Sequence, residues 1–114
     1  MKGLVKVLAF GCALFVLASA GVVKAQITDT VPCGTSKCTK NTNFGIGQEI
    51  RFIADCTQQG YKVENMVCHK AKGIVCGNGH YNKSKNEWLC DCQNMDMTKT
   101  HSTTVDVWCV PDNK

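Results

Sequence analysis

The cysteines constrain this chain more than any other feature of its sequence. The 114 residues contain nine cysteines, of which Cys12 falls in an apolar N-terminal segment. Eight cysteines in the remainder is a density typical of small secreted disulfide scaffolds. Because the number is even, no thiol need stay free, and we predict that all eight are paired: Cys33, Cys38, Cys56, Cys68, Cys76, Cys90, Cys92 and Cys109.

The N-terminal segment has the pattern of a secretory signal peptide. Lys2 and Lys6 form a basic start, and the run 4–17 is almost wholly apolar. Small residues then offer cleavage after Ala25 or after Ala20. The run is too short to span a bilayer, which takes roughly 20 apolar residues. We therefore predict a signal peptide over residues 1–25 and export to the extracellular space.

Residues 26–114 are predicted to form a single disulfide-rich domain. This region carries ten Lys and Arg against nine Asp and Glu, a net charge of +1. A nucleic-acid partner calls for a strongly basic face, and a membrane-lytic role for a cationic amphipathic one. The composition favours neither, so we expect no nucleic-acid binding and no membrane insertion. We also expect a monomer without a cofactor.

Alternating apolar residues indicate short β-strands. The clearest is 48–56, where Ile50, Phe52 and Ala54 fall on one face. A last strand of the same kind runs over 103–109 and stops at Pro111. Period-two alternation with frequent turn signals indicates a compact all-β domain. The predicted fold is a small disulfide-stapled sheet, sandwich or barrel of about five short antiparallel strands.

The segment 61–68 has weaker alternation. Read as a regular strand, it separates two sets of side chains onto opposite faces, Tyr61, Val63 and Val67 against Met66 and Cys68. A short helix over 63–70 is the alternative. Residues 26–42 are polar, contain Pro32, and are predicted to be an irregular arm held by at least one disulfide. Cys33 and Cys38 are close enough to bond each other or to reach elsewhere.

Residues 68–92 predict a tight, cross-linked hairpin with arms 73–76 and 87–92. In the second arm Cys90 and Cys92 share a face, so we expect them to bond two different partners. The tip between the arms is polar and contains two lysines. We predict that His80, Tyr81, Lys83 and Lys85 form the binding surface, that Asn82 lies exposed in a glycosylation sequon, and that Trp88 is structural.

Two other groups of residues could in principle form a metal site or a catalytic site. Zinc ligands could come from Cys68, His69, His80, Cys90 and Cys92, but the spacing lacks paired C-x₂₋₄-C motifs, and we predict no metal.

A secreted hydrolase or ribonuclease is the main alternative function. Its acid–base candidates have no recognisable motif, and we predict surface roles and no catalytic residue for them: Glu49, Arg51, His69, His80, Glu87 and His101.

The run from Cys76 to Cys90, with Gly79-His80-Tyr81-Asn82, resembles the terminal hairpin of peritrophin-type chitin-binding domains. This resemblance implies a carbohydrate-binding module in which Tyr81 and Trp88 stack on sugar rings. The other cysteine spacings depart from that family's six-cysteine plan.

The whole chain resembles a broader class, the small secreted cysteine-rich effectors of filamentous plant pathogens. The resemblance lies in the leader, the short mature region, the eight cysteines and the missing catalytic motifs. It implies a virulence-related, effector-like or toxin-like protein that is not an enzyme. Its partner would be an extracellular protein or glycan of a host or neighbouring organism.

Overall fold

Two β-sheets face each other in the computed structural model, which describes residues 26–113. The predicted signal peptide and Lys114 lie outside the described residues. Within that range the structure has eight strands and no helix, so the all-β class is confirmed, and the architecture is sandwich-like. The strands are β1 (Ile27–Cys33), β2 (Lys37–Phe44), β3 (Glu49–Cys56), β4 (Tyr61–Cys68), β5 (Ile74–Cys76), β6 (His80–Asn82), β7 (Glu87–Asn94) and β8 (His101–Pro111).

The first sheet contains five strands in the order β1-β3-β7-β5, with β6 also paired to β7. The second contains three, in the order β2-β8-β4. The predicted number of about five strands is too low, and the pairing is not all antiparallel, because β1 runs parallel to β3. β5 and β6 pair with opposite ends of β7. They therefore form one interrupted edge of the first sheet.

The polar segment 26–42 is where the sequence prediction fails most clearly. It is not an irregular arm, because it forms β1 and most of β2. Both strands lie at sheet edges, and they bury few side chains, notably Val31, Cys33 and Phe44. An edge strand with little buried surface has little apolar alternation to detect. Backbone pairing to β3 and β8 determines its structure instead.

The core lies between the sheets and is built by alternation, as predicted for β3 and β8. Ile50, Phe52 and Ala54 point inward from β3, and Val105 and Val107 point inward from β8 and are fully buried. The central contact is an edge-to-face pair of Phe44 and Phe52, with ring centroids 6.0 Å apart. Such pairs contribute about 0.5–1.5 kcal/mol beyond the burial of their area.

A β-bulge explains the weak alternation of β4. Val63 is opposite Cys109, but Asn65 is already opposite Trp108, so Glu64 is an extra residue. Because the bulge shifts the register by one, Tyr61 and Val63 pack against the same core as Met66 and Cys68. The predicted separation is therefore wrong for Tyr61 and Val63, whereas Val67 lies outside this core cluster, apart from Met66 and Cys68. The alternative helix over 63–70 is also wrong.

All eight cysteines after the leader form disulfides. Three bonds join the two sheets: Cys33–Cys38, Cys56–Cys109 and Cys68–Cys90. The fourth, Cys76–Cys92, joins β5 to β7 within the first sheet. Cys90 and Cys92 thus have different partners, as predicted. Every described strand except β6 carries at least one half-cystine.

The predicted hairpin has a different outer part. β5 pairs with β7 as expected, with Cys76 opposite Cys92. The stretch between the arms is not all loop, because residues 80–82 form β6, which pairs with residues 87–89. The turn of the hairpin is therefore only residues 83–86. Short strands bounded by glycine and asparagine give too little pattern to be recognised in sequence.

Gly79 marks the closest approach of this hairpin to β4. A Cβ atom built on Gly79 would collide with the backbone carbonyl of Met66. At Gly34, in contrast, an added Cβ would meet nothing within 4 Å. The absence of a side chain at Gly79 is therefore what lets the edges of the two sheets touch there.

We predict that Gly79→Ala destabilises the domain, because either β4 or the β5–β6 connection must move. Overpacking of this kind typically costs about 1–3 kcal/mol. The free energy of unfolding from denaturant titration measures the effect, and Gly34→Ala is the matched control. Equal stability of the two variants would contradict the close contact.

Candidate functional site

The β6–β7 hairpin holds all four residues of the predicted binding surface. His80 and Tyr81 lie on β6 and are exposed, and Lys83 and Lys85 are exposed in the turn. The His80 ring is within hydrogen-bond distance of the Asn78 carbonyl, 3.2 Å from Nδ1 to O. The structure thus places these residues next to each other on one hairpin.

The turn is ordered by its asparagines. The Oδ1 atom of Asn82 accepts hydrogen bonds from the Ser84 amide (3.1 Å) and the Ser84 hydroxyl (2.8 Å). Asn86 has a φ of 53°, in the left-handed region that asparagine tolerates better than most residues. Asn82 itself is half-buried at the end of β6, between exposed neighbours, so the predicted exposed position is wrong: its side chain is turned to the Ser84 hydrogen bonds. The turn therefore has a defined shape on which Lys83 and Lys85 are displayed.

Tyr81 and Trp88 face each other across the hairpin. Their ring centroids are 6.3 Å apart at an interplanar angle of 49°. The Tyr81 hydroxyl donates a 2.6 Å hydrogen bond to Asn86 Oδ1, which fixes the ring of a side chain that is 46% exposed. Trp88 is partly buried and packs against the core cluster that contains Cys90 and Cys92. It therefore has a structural contact, as predicted, together with an accessible part.

The accessible part of Trp88 lines a cleft of about 840 Å³. One wall is the β6–β7 hairpin, and the opposite wall is the start of β4. The ends of β3 and β8 also contribute to the lining, beside the Cys56–Cys109 bond. We call this space the inter-sheet cleft. Its lining residues are Ala54, Asp55, Cys56, Tyr61, Lys62, Val63, Glu64, Tyr81, Asn86, Glu87, Trp88, Val110 and Asp112.

The inter-sheet cleft combines aromatic and acidic groups. Three aromatic side chains, Tyr61, Tyr81 and Trp88, lie in its lining together with four carboxylates and one ammonium group. The ammonium group belongs to Lys62 and lies 3.8 Å from the Asp112 carboxylate. Clefts with apolar walls and a few polar groups are the usual form of a ligand site. An excess of carboxylates favours a ligand that carries positive charge or hydrogen-bond donors.

The sequence did not predict that Tyr61, Glu64 and Asp112 line this cleft. These residues are distant in sequence from the hairpin. The bulge at Glu64 turns Tyr61 inward, and no local pattern predicts which sheet edge faces it. Two adjacent aromatic residues of the hairpin, Tyr81 and Trp88, were the only available signal.

The acid–base candidates do not form one site. His69, His80 and His101 each have a separate partner, respectively Asp106, the Asn78 carbonyl and Asp96. None of the other three candidates forms a hydrogen bond or ion pair with these histidines. Arg51 forms a two-point ion pair with Asp91, at 2.8 and 3.0 Å. Glu49 accepts a hydrogen bond from Gln26, and Glu87 lines the inter-sheet cleft. No two histidines share a hydrogen-bond partner in the described range.

One histidine–carboxylate pair does stand out on the second sheet. His69 Nε2 lies 2.7 Å from Asp106 Oδ2, and the Thr39 hydroxyl donates to Asp106 Oδ1 at 2.5 Å. Burial of the Asp106 carboxylate acts to raise its pKa. The hydrogen bonds from Thr39 and His69 and the charge of Lys37 outweigh that effect, and the pKa of Asp106 stays below its ordinary value. The pair orients His69, which is 46% exposed.

The zinc alternative loses its sulfur ligands. Cys68, Cys90 and Cys92 are all in disulfides. Among residues 26–113 no group of three His, Cys, Asp or Glu side chains is placed to hold a metal ion.

Comparison with protein-family models, curated proteins and solved structures gives no match for this chain. The described residues also contain no helix that is long and apolar enough to cross a membrane. The four disulfides indicate an oxidising compartment.

We predict that Asp106 makes stability depend on acid pH. Its pKa in the folded state lies below the unfolded value of about 3.9. The ionised side chain therefore stabilises the fold above that pH, and the stabilisation is lost as the pH falls through the folded pKa. Asp106→Asn should be less stable than the wild type at pH 6, and the gap should shrink by pH 2.

Denaturant titrations at the two pH values measure this gap. Asp55→Asn is the control, because the Asp55 side chain is exposed and has no hydrogen bond or ion pair with a described residue. A gap of the same size at pH 2 and pH 6 would rule out a role for the ionised Asp106.

We also predict that Trp88→Ala costs less stability than a buried tryptophan would. Removing a fully buried ring costs about 3–5 kcal/mol of unfolding free energy. Trp88 is only partly buried, because one side of its ring faces the inter-sheet cleft. The expected loss is about 1–3 kcal/mol, measured by denaturant titration. Leu89→Ala, at a 3% exposed position on the same strand, should cost more. The reverse order would show that Trp88 is mainly a core residue.

Proposed function

We propose that this chain is a secreted, non-enzymatic interaction protein, effector-like or toxin-like, that acts as a monomer. Its partner is an extracellular protein or glycan of a host or neighbouring organism. The binding region consists of the inter-sheet cleft and the adjoining β6–β7 hairpin.

The observation that carries the proposal is the position of the inter-sheet cleft on a cross-linked scaffold. The cleft adjoins Cys56–Cys109, and Cys68–Cys90 joins β4 and β7 further along the strands that form its walls. Each disulfide restricts the chain and contributes about 2–5 kcal/mol to small secreted domains. Walls held in this way lose little conformational entropy on binding, which favours affinity.

The hairpin turn complements the cleft. Lys83 and Lys85 are exposed on a turn that Asn82 orders. Loops on rigid scaffolds are frequent contact sites, and exposed charges at a rim mainly raise the association rate. We therefore assign recognition to the cleft and orientation of the partner to the two lysines.

Two other classes are distinguishable from this one. A hydrolase or ribonuclease is favoured only by the oriented His69–Asp106 pair. His69→Ala would abolish its activity, whereas it would leave partner binding unchanged. A carbohydrate-binding module is favoured by the Tyr81–Trp88 pair, and it would require binding of a soluble oligosaccharide in the cleft.

We predict that replacing Tyr81, Lys83 and Lys85 together by alanine abolishes partner capture while leaving the fold and its four disulfides intact. The protein is immobilised and incubated with plant extracellular fluid, chosen for the resemblance to plant-pathogen effectors. Captured material is quantified by mass spectrometry, and intact mass confirms oxidation.

The matched control is Lys70→Ala with Lys72→Ala, a second exposed pair with the same spacing. It tests whether any loss is due to removed charge alone. Partner capture that survives the triple variant, or that both lysine variants lose equally, would show that the hairpin is not the recognition surface.

A further inference from the structure

The walls of the inter-sheet cleft are two strand edges without partners. Within the described residues β4 pairs only with β8, and β6 pairs only with β7. The two edges touch where Gly79 meets Met66, and Tyr61 on β4 and Tyr81 on β6 both line the cleft. An unpaired edge presents backbone N–H and C=O groups that can bind an additional strand.

The carboxylates of the domain are distributed unevenly around these edges. The five outside the cleft each bond a described residue: Asp29 with Lys40, Glu49 with Gln26, Asp91 with Arg51, Asp96 with Thr98 and His101, and Asp106 with Thr39 and His69. Inside the cleft only Asp112 has such a partner, Lys62. The carboxylates of Asp55, Glu64 and Glu87 have no hydrogen bond or close ion pair with any described residue, although Arg51 attracts Glu87 at longer range.

From this arrangement we propose that the inter-sheet cleft binds an extended, basic peptide segment of the partner protein. The backbone of the segment pairs with the free edge of β4. Its Lys or Arg side chains meet the carboxylates of Asp55, Glu64 and Glu87, and its alternate side chains contact Tyr61 and Trp88. The proposal rests on the function proposed above and specifies the class of partner.

The aromatic groups suit the same ligand. Tyr61 and Trp88 pack on the core from behind, and Tyr81 is held by Asn86, so the rings are in place before a ligand arrives. Cations next to such rings are attracted by the negative face of the ring. A neutral glycan could stack on the rings, but it offers neither a cation to the carboxylates nor a strand to the open edge. A basic peptide offers both.

A phage-displayed library of random nonapeptides tests the proposal on the oxidised protein. Nine extended residues span about 30 Å, long enough to follow a strand edge. We expect enriched peptides to carry Lys or Arg at alternating positions. A synthetic copy of the most enriched peptide then gives a Kd by calorimetry. No enrichment over bare support, or enrichment of acidic or uncharged peptides, would overturn the proposal.

Charge-neutral variants locate the site. Glu64→Gln with Glu87→Gln should weaken binding of that peptide at least about tenfold, which corresponds to 1.4 kcal/mol, and should flatten its salt dependence. Glu49→Gln removes a carboxylate outside the cleft and should leave the Kd unchanged. Equal Kd values for the two variants would place the peptide elsewhere and refute the proposal.

Strand addition is tested on the peptide itself. In an extended peptide the backbone N–H groups point alternately to the two edges, so they form two sets. Methylating the set that faces β4 should abolish binding, and methylating the other set should leave binding unchanged. If both methylated peptides bind as well as the parent peptide, the edge is not used and the proposal fails.

A soluble N-acetylglucosamine hexamer separates this proposal from the broader one. If the hexamer binds and no peptide does, the peptide proposal is wrong while a binding function through the cleft stands. If neither binds and the triple hairpin variant also captures partners normally, both proposals are wrong.

Discussion

Three covalent bonds between the sheets are the constraint on which the rest of this structure depends. Cys33–Cys38 joins the edge strands β1 and β2, Cys56–Cys109 joins β3 to β8, and Cys68–Cys90 joins β4 to β7. The apolar core between the sheets contains few large side chains, chiefly Phe44, Phe52 and Met66. A domain of this size buries little surface, so cross-links supply what the core lacks.

The same bonds determine where the sheets can separate. β4 and β7 are held together at Cys68–Cys90, and β4 meets the hairpin at Gly79. Beyond that point the hairpin has no half-cystine, and its outer part depends on polar contacts such as Asn82 with Ser84 and Tyr81 with Asn86. The inter-sheet cleft lies between β4 and this outer part, which no disulfide joins to β4. Local hydrogen bonds then give its outer wall a defined shape.

Charge adds specificity to this geometry. The carboxylates of the inter-sheet cleft and the lysines of the turn lie on neighbouring surfaces of opposite sign, although the domain as a whole is close to neutral. A partner that satisfies both must carry charge in a matching pattern, and exposed charges of this kind lose influence at high salt. Orientation and selectivity are the properties such an arrangement controls best.

The sequence by itself determined the all-β class, the oxidation of all eight cysteines, the separate partners of Cys90 and Cys92, and a hairpin with arms 73–76 and 87–92. These follow from local signals, namely alternation, turn residues and spacing between cysteines. Tertiary structure decided the rest. The polar edge strands β1 and β2 have too little apolar alternation to be recognised, and the bulge at Glu64 reverses the face of Tyr61. The inter-sheet cleft joins segments far apart in sequence. Its existence depends on which sheet edges the disulfides bring together, and no local pattern encodes that.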